Sequence, residues 1–258
     1  MYITLKYPLL FVNGYVAPDK VSFWGRIPQK LADRGIPVFY GNTAAWGDYE
    51  SNALLLKETI DKILSNTKKE KINIIAHSKG GLDSRYLIWK YNFGDKIASL
   101  TTICTPHHGL ETADLVINAN GYSTKSSVKA LHLFGKLCNE IPLNFHKVVI
   151  DLTTTKMKEF NEKVIIDNKV YCQSLYTTMR NRMNDMMFYH TYLNINKITG
   201  ANDGLVSVYS TLWGSNHIKI AHGISHREIL DFRKRKIYGK DIPAIYVGIV
   251  KDLGEKGF

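Results

Sequence analysis

The sequence predicts an α/β fold, with a mostly parallel sheet covered by helices on both faces. Two observations predict it. Short apolar runs alternate with stretches of helical periodicity along the 258 residues, and no internal repeat, low-complexity tract or Pro/Gly/Ser-rich linker interrupts them. The apolar runs lie at 8–12, 36–40, 71–76, 97–103, 170–176 and 218–221. Runs this short and this continuous suit strands buried on both faces. Between them, Leu55, Leu56, Thr59, Ile60 and Ile63 recur at spacings of three and four, as do Leu82, Arg85, Tyr86 and Trp89. Those spacings put each set on one face of a helix. In a sheet built this way, reactive groups lie just beyond the carboxyl ends of the strands.

The rhythm breaks between about residues 108 and 145. A small, polar stretch at 118–123 precedes Val128, Leu131, Phe134, Leu137, Cys138 and Ile141 at helical spacing. One amphipathic helix fits, either as an ordinary core helix or as a cover over the site. Its place between two sheet strands favours a lid-like insertion within a single domain of residues 1–258.

Composition narrows the function classes. Lys plus Arg number 34 against 23 for Asp plus Glu, a formal charge of +11. A basic surface can meet nucleic acid, anionic lipid or an acidic substrate. The densest run, Arg233 to Lys236, reads as a solvated loop or helix end. No nucleic-acid module accompanies it, so a nucleic-acid partner is not expected. No apolar run reaches about 18 residues, so no transmembrane segment is expected either. The first residues lack the basic and apolar regions of a signal peptide. A cytoplasmic location is expected if this is the full chain, and a secreted one if a leader was removed. Cys104, Cys138 and Cys172 are widely spaced and odd in number, which reads as reduced thiols rather than zinc ligands or a disulfide framework.

The strongest chemical signal is Ala76-His77-Ser78-Lys79-Gly80-Gly81, following a buried strand and preceding a helical pattern. A strand that turns at once into a helix crowds the backbone, so the flanking residues must be small. The turn strains Ser78 and presents its hydroxyl, and the first helical amides face the same point. A serine hydroxyl needs a base, and the base needs a carboxylate to orient it. Asp203, in Asn202-Asp203-Gly204, has the backbone freedom to aim inward; Asp185 and Asp167 are weaker rivals. His226 is the preferred base, ahead of His222 and His217. Lys79 and Asp83, four apart on a helix, read as a simple ion pair worth about 0.3–0.5 kcal/mol. His107 and His108 lack metal-ligand spacing and read as structural or pocket-lining residues.

Taken together these residues resemble the bacterial true lipases, the triacylglycerol-lipase group of the α/β-hydrolases. Tyr7 to Gly14, Phe23-Trp24-Gly25, the Ser78 turn, Cys104 to Gly109, Asn202 to Val206 and Ser225-His226 stand in that family's order. The resemblance implies the α/β-hydrolase fold and a Ser78, Asp203, His226 triad acting on acyl esters. It implies an oxyanion hole from the backbone N–H groups of Tyr15 and Lys79. Asn13-Gly14 stands where the family has His-Gly, which leaves the bonds that hold this loop to be found. No cofactor is required. Some members hold a structural calcium ion near the catalytic His, for which Glu228 is one candidate ligand, while the zinc insertion of thermophilic bacillus lipases has no counterpart. An ester or lipid substrate is expected, with contact to a lipid interface. Thioesterase or acyltransferase chemistry on the same triad, and a non-catalytic binding protein on this scaffold, are the alternatives.

Overall fold

A computed structural model describes residues 2–14, 21–44, 47–118 and 145–258. Six strands form one sheet: β1 (Leu9–Val12), β2 (Val38–Tyr40), β3 (Ile72–His77), β4 (Ile97–Ile103), β5 (Tyr171–Thr178) and β6 (Asn216–His222). Their spatial order is β2-β1-β3-β4-β5-β6, and every neighbouring pair is parallel. All six apolar runs of the sequence became strands. β1, β3 and β4 are buried along their whole length, which is why they read as unbroken apolar runs rather than as alternating ones. β6 is an edge strand, and its exposed His217 and Lys219 discourage pairing with another chain.

Successive strand residues point to opposite faces, and the core divides accordingly. Leu10, Val12, Ile74 and Ala76 pack with Leu56 and Ile60 of α2 (Tyr49–Thr67) and Leu82 of α3 (Lys79–Lys90). Leu9, Phe11 and Ile75 pack on the other side with Ile27 and Leu31 of α1 (Ile27–Ala32) and Tyr246 and Val250 of the C-terminal helix (Ile242–Glu255). Helices therefore cover both faces, as expected.

The α2 stripe differs from the expected one at Leu55 and at Thr59, which is only half-buried. Asn52, Ala53, Leu56, Ile60, Ile63 and Leu64 are buried, whereas Leu55 is exposed. Both Leu55 and Leu56 fit a spacing of three or four, so only packing separates them. α3 departs further. Every residue from Lys79 to Ile88 is buried, charged ones included, because this helix lies between the sheet and α2 instead of at the surface.

The Lys79–Asp83 pair is consequently not a surface pair. The two side chains are 2% and 1% exposed. Asp83 also accepts from Asn52 Nδ2 at 2.8 Å, and the Lys79 ammonium lies 5.8 Å from the centre of the Tyr49 ring. Burial pushes the Asp83 carboxyl up, opposed by Lys79 and Asn52. Asp83→Asn leaves a buried ammonium without its counter-charge and is expected to cost about 3–5 kcal/mol. Urea unfolding checks it, and replacing both partners by apolar residues of similar volume restores most of the loss.

Between β4 and β5 lie α4 (Glu111–Asn118), α5 (Phe145–Asp151) and α6 (Thr154–Lys163). α7 (Tyr189–Ile198) and α8 (Val208–Thr211) separate β5 from β6, and the C-terminal helix is α9. α4 packs against α5, α6 and α7. The start of the expected lid-like insertion is thus α4, while Val128 to Ile141, Cys138 included, lie outside the described residues. Among the described residues no helix is long and apolar enough to cross a membrane.

Candidate active site

β3 ends at His77 and α3 begins at Lys79, so Ser78 alone makes the turn. Its backbone sits at φ 55° and ψ −134°, a conformation costing a non-glycine residue about 1–3 kcal/mol. The surroundings hold it there. The Ser78 amide donates to the Ile103 carbonyl at 2.9 Å, and its carbonyl accepts from Thr105 Oγ1 at 2.7 Å. The small flanking residues have the steric reason the sequence suggested. A Cβ on Gly80 would lie 2.6 Å from the Asn13 carbonyl oxygen, and one on Gly81 would lie 2.4 Å from Thr105 Oγ1.

His226 follows β6 in a loop whose own amide donates to the Asp203 carbonyl at 2.9 Å. Its Nε2 lies 3.0 Å from Ser78 Oγ, and its Nδ1 lies 2.8 Å from Asp203 Oδ2. Asp203 Oδ1 accepts the amides of Leu205 at 3.0 Å and Val206 at 2.7 Å. The carboxylate is acceptor-only, so His226 carries its proton on Nδ1 and leaves Nε2 free to accept from the serine hydroxyl. The three residues are 6%, 5% and 1% exposed for Ser78, His226 and Asp203, so water does little to weaken the chain of bonds. Asn202 shapes the aspartate turn by accepting the Gly204 amide at 2.8 Å. Gly204, at φ 100°, has no room for a side chain, since a Cβ would meet Phe188 and Met179 at 2.6 Å.

The rival residues are elsewhere or otherwise engaged. Asp167 is exposed and accepts from the Lys169 amide. His222 is exposed and bonded to Thr178 Oγ1, and His217 is exposed. Asp185 is buried close to the histidine loop, yet its carboxylate accepts from Arg227 through Nε and Nη2, both at 2.8 Å, and from Ser225 Oγ at 2.8 Å. Burial opposes its ionisation, but Arg227 and Ser225 outweigh that and hold the carboxyl below its ordinary range.

Several supporting residues went unread in the sequence. His77 Nε2 donates to the His226 carbonyl at 3.0 Å. Burial, and then the nearby His226, hold the His77 imidazole well below its ordinary value, so it is neutral. Glu228, offered by the resemblance as one candidate calcium ligand, is buried beside the same loop. It accepts the Ser225 amide at 2.9 Å and Asn184 Nδ2 at 3.2 Å, and its other oxygen lies 3.1 Å from Arg233 Nε. Arg233 is therefore not simply a member of a solvated basic run. With Arg227 on Asp185 and Arg233 on Glu228, both carboxylates already have a cationic partner, which makes them a poor donor set for a calcium ion, whose binding needs uncompensated anionic oxygens among its ligands. Among the described residues, Cys104, Asp203 and His226 offer ligand atoms within 4.8 Å of one another. Burial, followed by Asp203, pushes the Cys104 thiol well above its ordinary value, and Asp203 is committed to His226, so this group does not fit a metal either.

The loop after β1 reaches the serine turn. Asn13 is buried, and its Oδ1 accepts the Gly14 amide at 2.8 Å. This local bond steadies the loop where the family's histidine is replaced. A Cβ on Gly14 would lie 2.8 Å from Ser78 Cβ and 3.0 Å from the Lys79 amide nitrogen. Tyr15, the second expected oxyanion donor, lies outside the described residues.

A sequence family described as alpha/beta hydrolase fold matches residues 7–138. A triacylglycerol lipase of Saccharomyces cerevisiae, named triacylglycerol lipase 2, is 30% identical over 95% of this chain and 77% of its own length. This chain belongs to the α/β hydrolases, in their lipase group. A triacylglycerol lipase of Pseudarthrobacter phenanthrenivorans is 31% identical over 53% of this hydrolase and 46% of its own length; against such bacterial relatives the hydrolase spans about half of their length. Among solved structures, the mature Bacillus licheniformis lipase BlEst2 superposes with a TM-score of 0.73 at 18% identity, covering 97% of this hydrolase and 94% of that chain. The metagenomic carboxyl esterase MGS0156 superposes with a TM-score of 0.77 at 16% identity, covering 99% and 77%. At such identities the likeness is one of fold.

Proposed function

We propose that this chain is a lipase-like carboxylic-ester hydrolase whose triad is Ser78, His226 and Asp203. The observation that carries the reading is the unbroken chain of bonds from Ser78 Oγ through both ring nitrogens of His226 to Asp203. In the proposed reaction His226 Nε2 takes the hydroxyl proton as Ser78 Oγ attacks the ester carbonyl. Asp203 stabilises the imidazolium that forms. The Lys79 and Tyr15 amides hold the oxyanion. His226 then gives the proton to the leaving alcohol, and water, activated the same way, releases the acid and restores Ser78. No cofactor takes part.

An apolar acyl ester, acylglycerol included, is the proposed substrate, met at a lipid interface. The lipase names of the relatives support it. p-Nitrophenyl esters from acetate to palmitate test the reading. Turnover with a longer-chain optimum supports a lipase and a short-chain optimum an esterase. Inactivity on every ester, with turnover of acyl thioesters, overturns it. Gly14→Ala tests the oxyanion loop. The added methyl displaces the loop from Ser78 and Lys79, and kcat is expected to fall roughly 10²–10³-fold, measured on the best ester of the series.

A further inference from the structure

The loop after β5 (179–188) and the loop after β6 (223–241) leave the same end of the parallel sheet as the Ser78 turn after β3. The two loops are tied together. Asn184 Nδ2 donates to the Gly223 carbonyl at 3.2 Å, and the Arg180 guanidinium lies 4.1 Å from the centre of the Tyr238 ring. Arg227, which holds Asp185 through two bonds, lies 5.3 Å from the centre of the Phe232 ring. They therefore present one surface beside the candidate triad.

The exposed charge on this surface has one sign. Residues 179–240 contain four carboxylates, Asp185, Asp203, Glu228 and Asp231, and each is buried at 1% exposure or less. Asp203 faces His226, and the other three hold Arg227, Arg233 and Arg26. The cations Arg180, Arg182, Lys234, Arg235 and Lys236 are exposed, and none of them meets a carboxylate among the described residues. Exposed lysines elsewhere do: Lys96 meets Asp61, Lys147 meets Asp48 and Lys156 meets Glu159. The positive field reaches His222, whose imidazole is lowered by burial and then by Lys219, Arg180 and Lys240.

Apolar side chains stand among these cations. Met183, Met186, Phe232 and Tyr238 are each 50% exposed or more. Large apolar groups held in water beside cations mark a contact surface. The combination fits lipid. Apolar and aromatic side chains enter the boundary between headgroups and acyl chains, while Lys and Arg stay at the phosphates. A polyanion without acyl chains gives the two methionines nothing to enter.

We infer that these two loops seat the protein on an anionic lipid surface, with Met183, Met186, Phe232 and Tyr238 in the headgroup layer and the exposed cations on lipid phosphates. Because the loops flank His226, this seating turns the Ser78 end of the sheet toward the lipid. Delivery of substrate from that surface rests on the proposed hydrolase reading; the binding itself does not.

Co-sedimentation of the whole chain with vesicles of ether-linked lipids tests this, since such vesicles contain no ester to cleave. Phosphatidylcholine with about 30 mol% phosphatidylglycerol is expected to bind at least about tenfold more tightly than phosphatidylcholine alone, and less tightly as salt rises. Lys234→Gln, Arg235→Gln and Lys236→Gln combined are expected to weaken binding to the anionic vesicles about a hundredfold, roughly fivefold for each charge. Phe232→Ala is expected to weaken it about tenfold, by a factor that salt leaves unchanged. All four positions lie outside the core, and circular dichroism checks that both variants fold. Equal binding to the two kinds of vesicle, or none to either, overturns the proposal. So does anionic-vesicle binding unchanged in both variants. Retention on duplex DNA as tight as on the anionic vesicles at the same ionic strength overturns the choice of lipid. Anionic-vesicle binding by a chain that turns over no ester supports this surface and strikes the hydrolase reading alone. Ester turnover without vesicle binding strikes this surface alone.

Discussion

Ser78→Ala is expected to lower kcat on the preferred p-nitrophenyl ester by about 10⁶-fold while the fold survives. The magnitude follows from removing the nucleophile of the proposed triad, where what remains is stabilisation by the oxyanion site and binding. The fold survives because the serine turn is held through backbone atoms, by the Ile103 carbonyl and the Thr105 hydroxyl. The Ser78 hydroxyl itself bonds to His226 Nε2. His226→Ala is expected to cost about as much, and the double variant no more than either single one, since residues that act as a unit are not additive. Steady-state kinetics with circular dichroism on the same preparations decides the matter. A loss of tenfold or less in a folded Ser78→Ala protein removes Ser78 from the reaction.

Asp203→Asn is expected to lower kcat by about 10⁴-fold with little change in stability. The bonds around Asp203 dictate the direction. Oδ1 accepts two amides, from Leu205 and Val206. An asparagine here keeps its carbonyl oxygen on those amides and turns its NH₂ toward His226. His226 Nδ1 must then accept, its proton moves to Nε2, and the nitrogen facing Ser78 can no longer take the hydroxyl proton. NMR of the imidazole nitrogens reads the change of tautomer directly, alongside kcat. Retention of the Nδ1–H form with full activity would remove Asp203 from its proposed role.

The parts of the site that were legible in the sequence share a cause. β1, β3 and β4 left continuous apolar runs because both of their faces are covered, and the serine turn left small residues because Gly80 and Gly81 have no space for a methyl group. Those signals are local: they follow from sterics and burial over a few residues. The choice among carboxylates and histidines was less secure, since Asp185 and Asp203 both end up buried beside the histidine loop. What separates them is a partner. Arg227 occupies Asp185, and His226 faces Asp203.

Periodicity along α3 likewise placed Arg85 on a helical face but said nothing of what covers that side chain, which Trp213 and Phe160 do. The same holds for Lys79 and Asp83, whose spacing shows only that they can meet. The amino-acid order by itself determined the strand positions, the strained serine turn and the set of candidate acids and bases, because these depend on neighbours in the chain. Only the tertiary structure decided which charge faces which, since Ser78 and His226 stand 148 residues apart and a buried ion is matched or left unmatched by whatever the fold brings beside it.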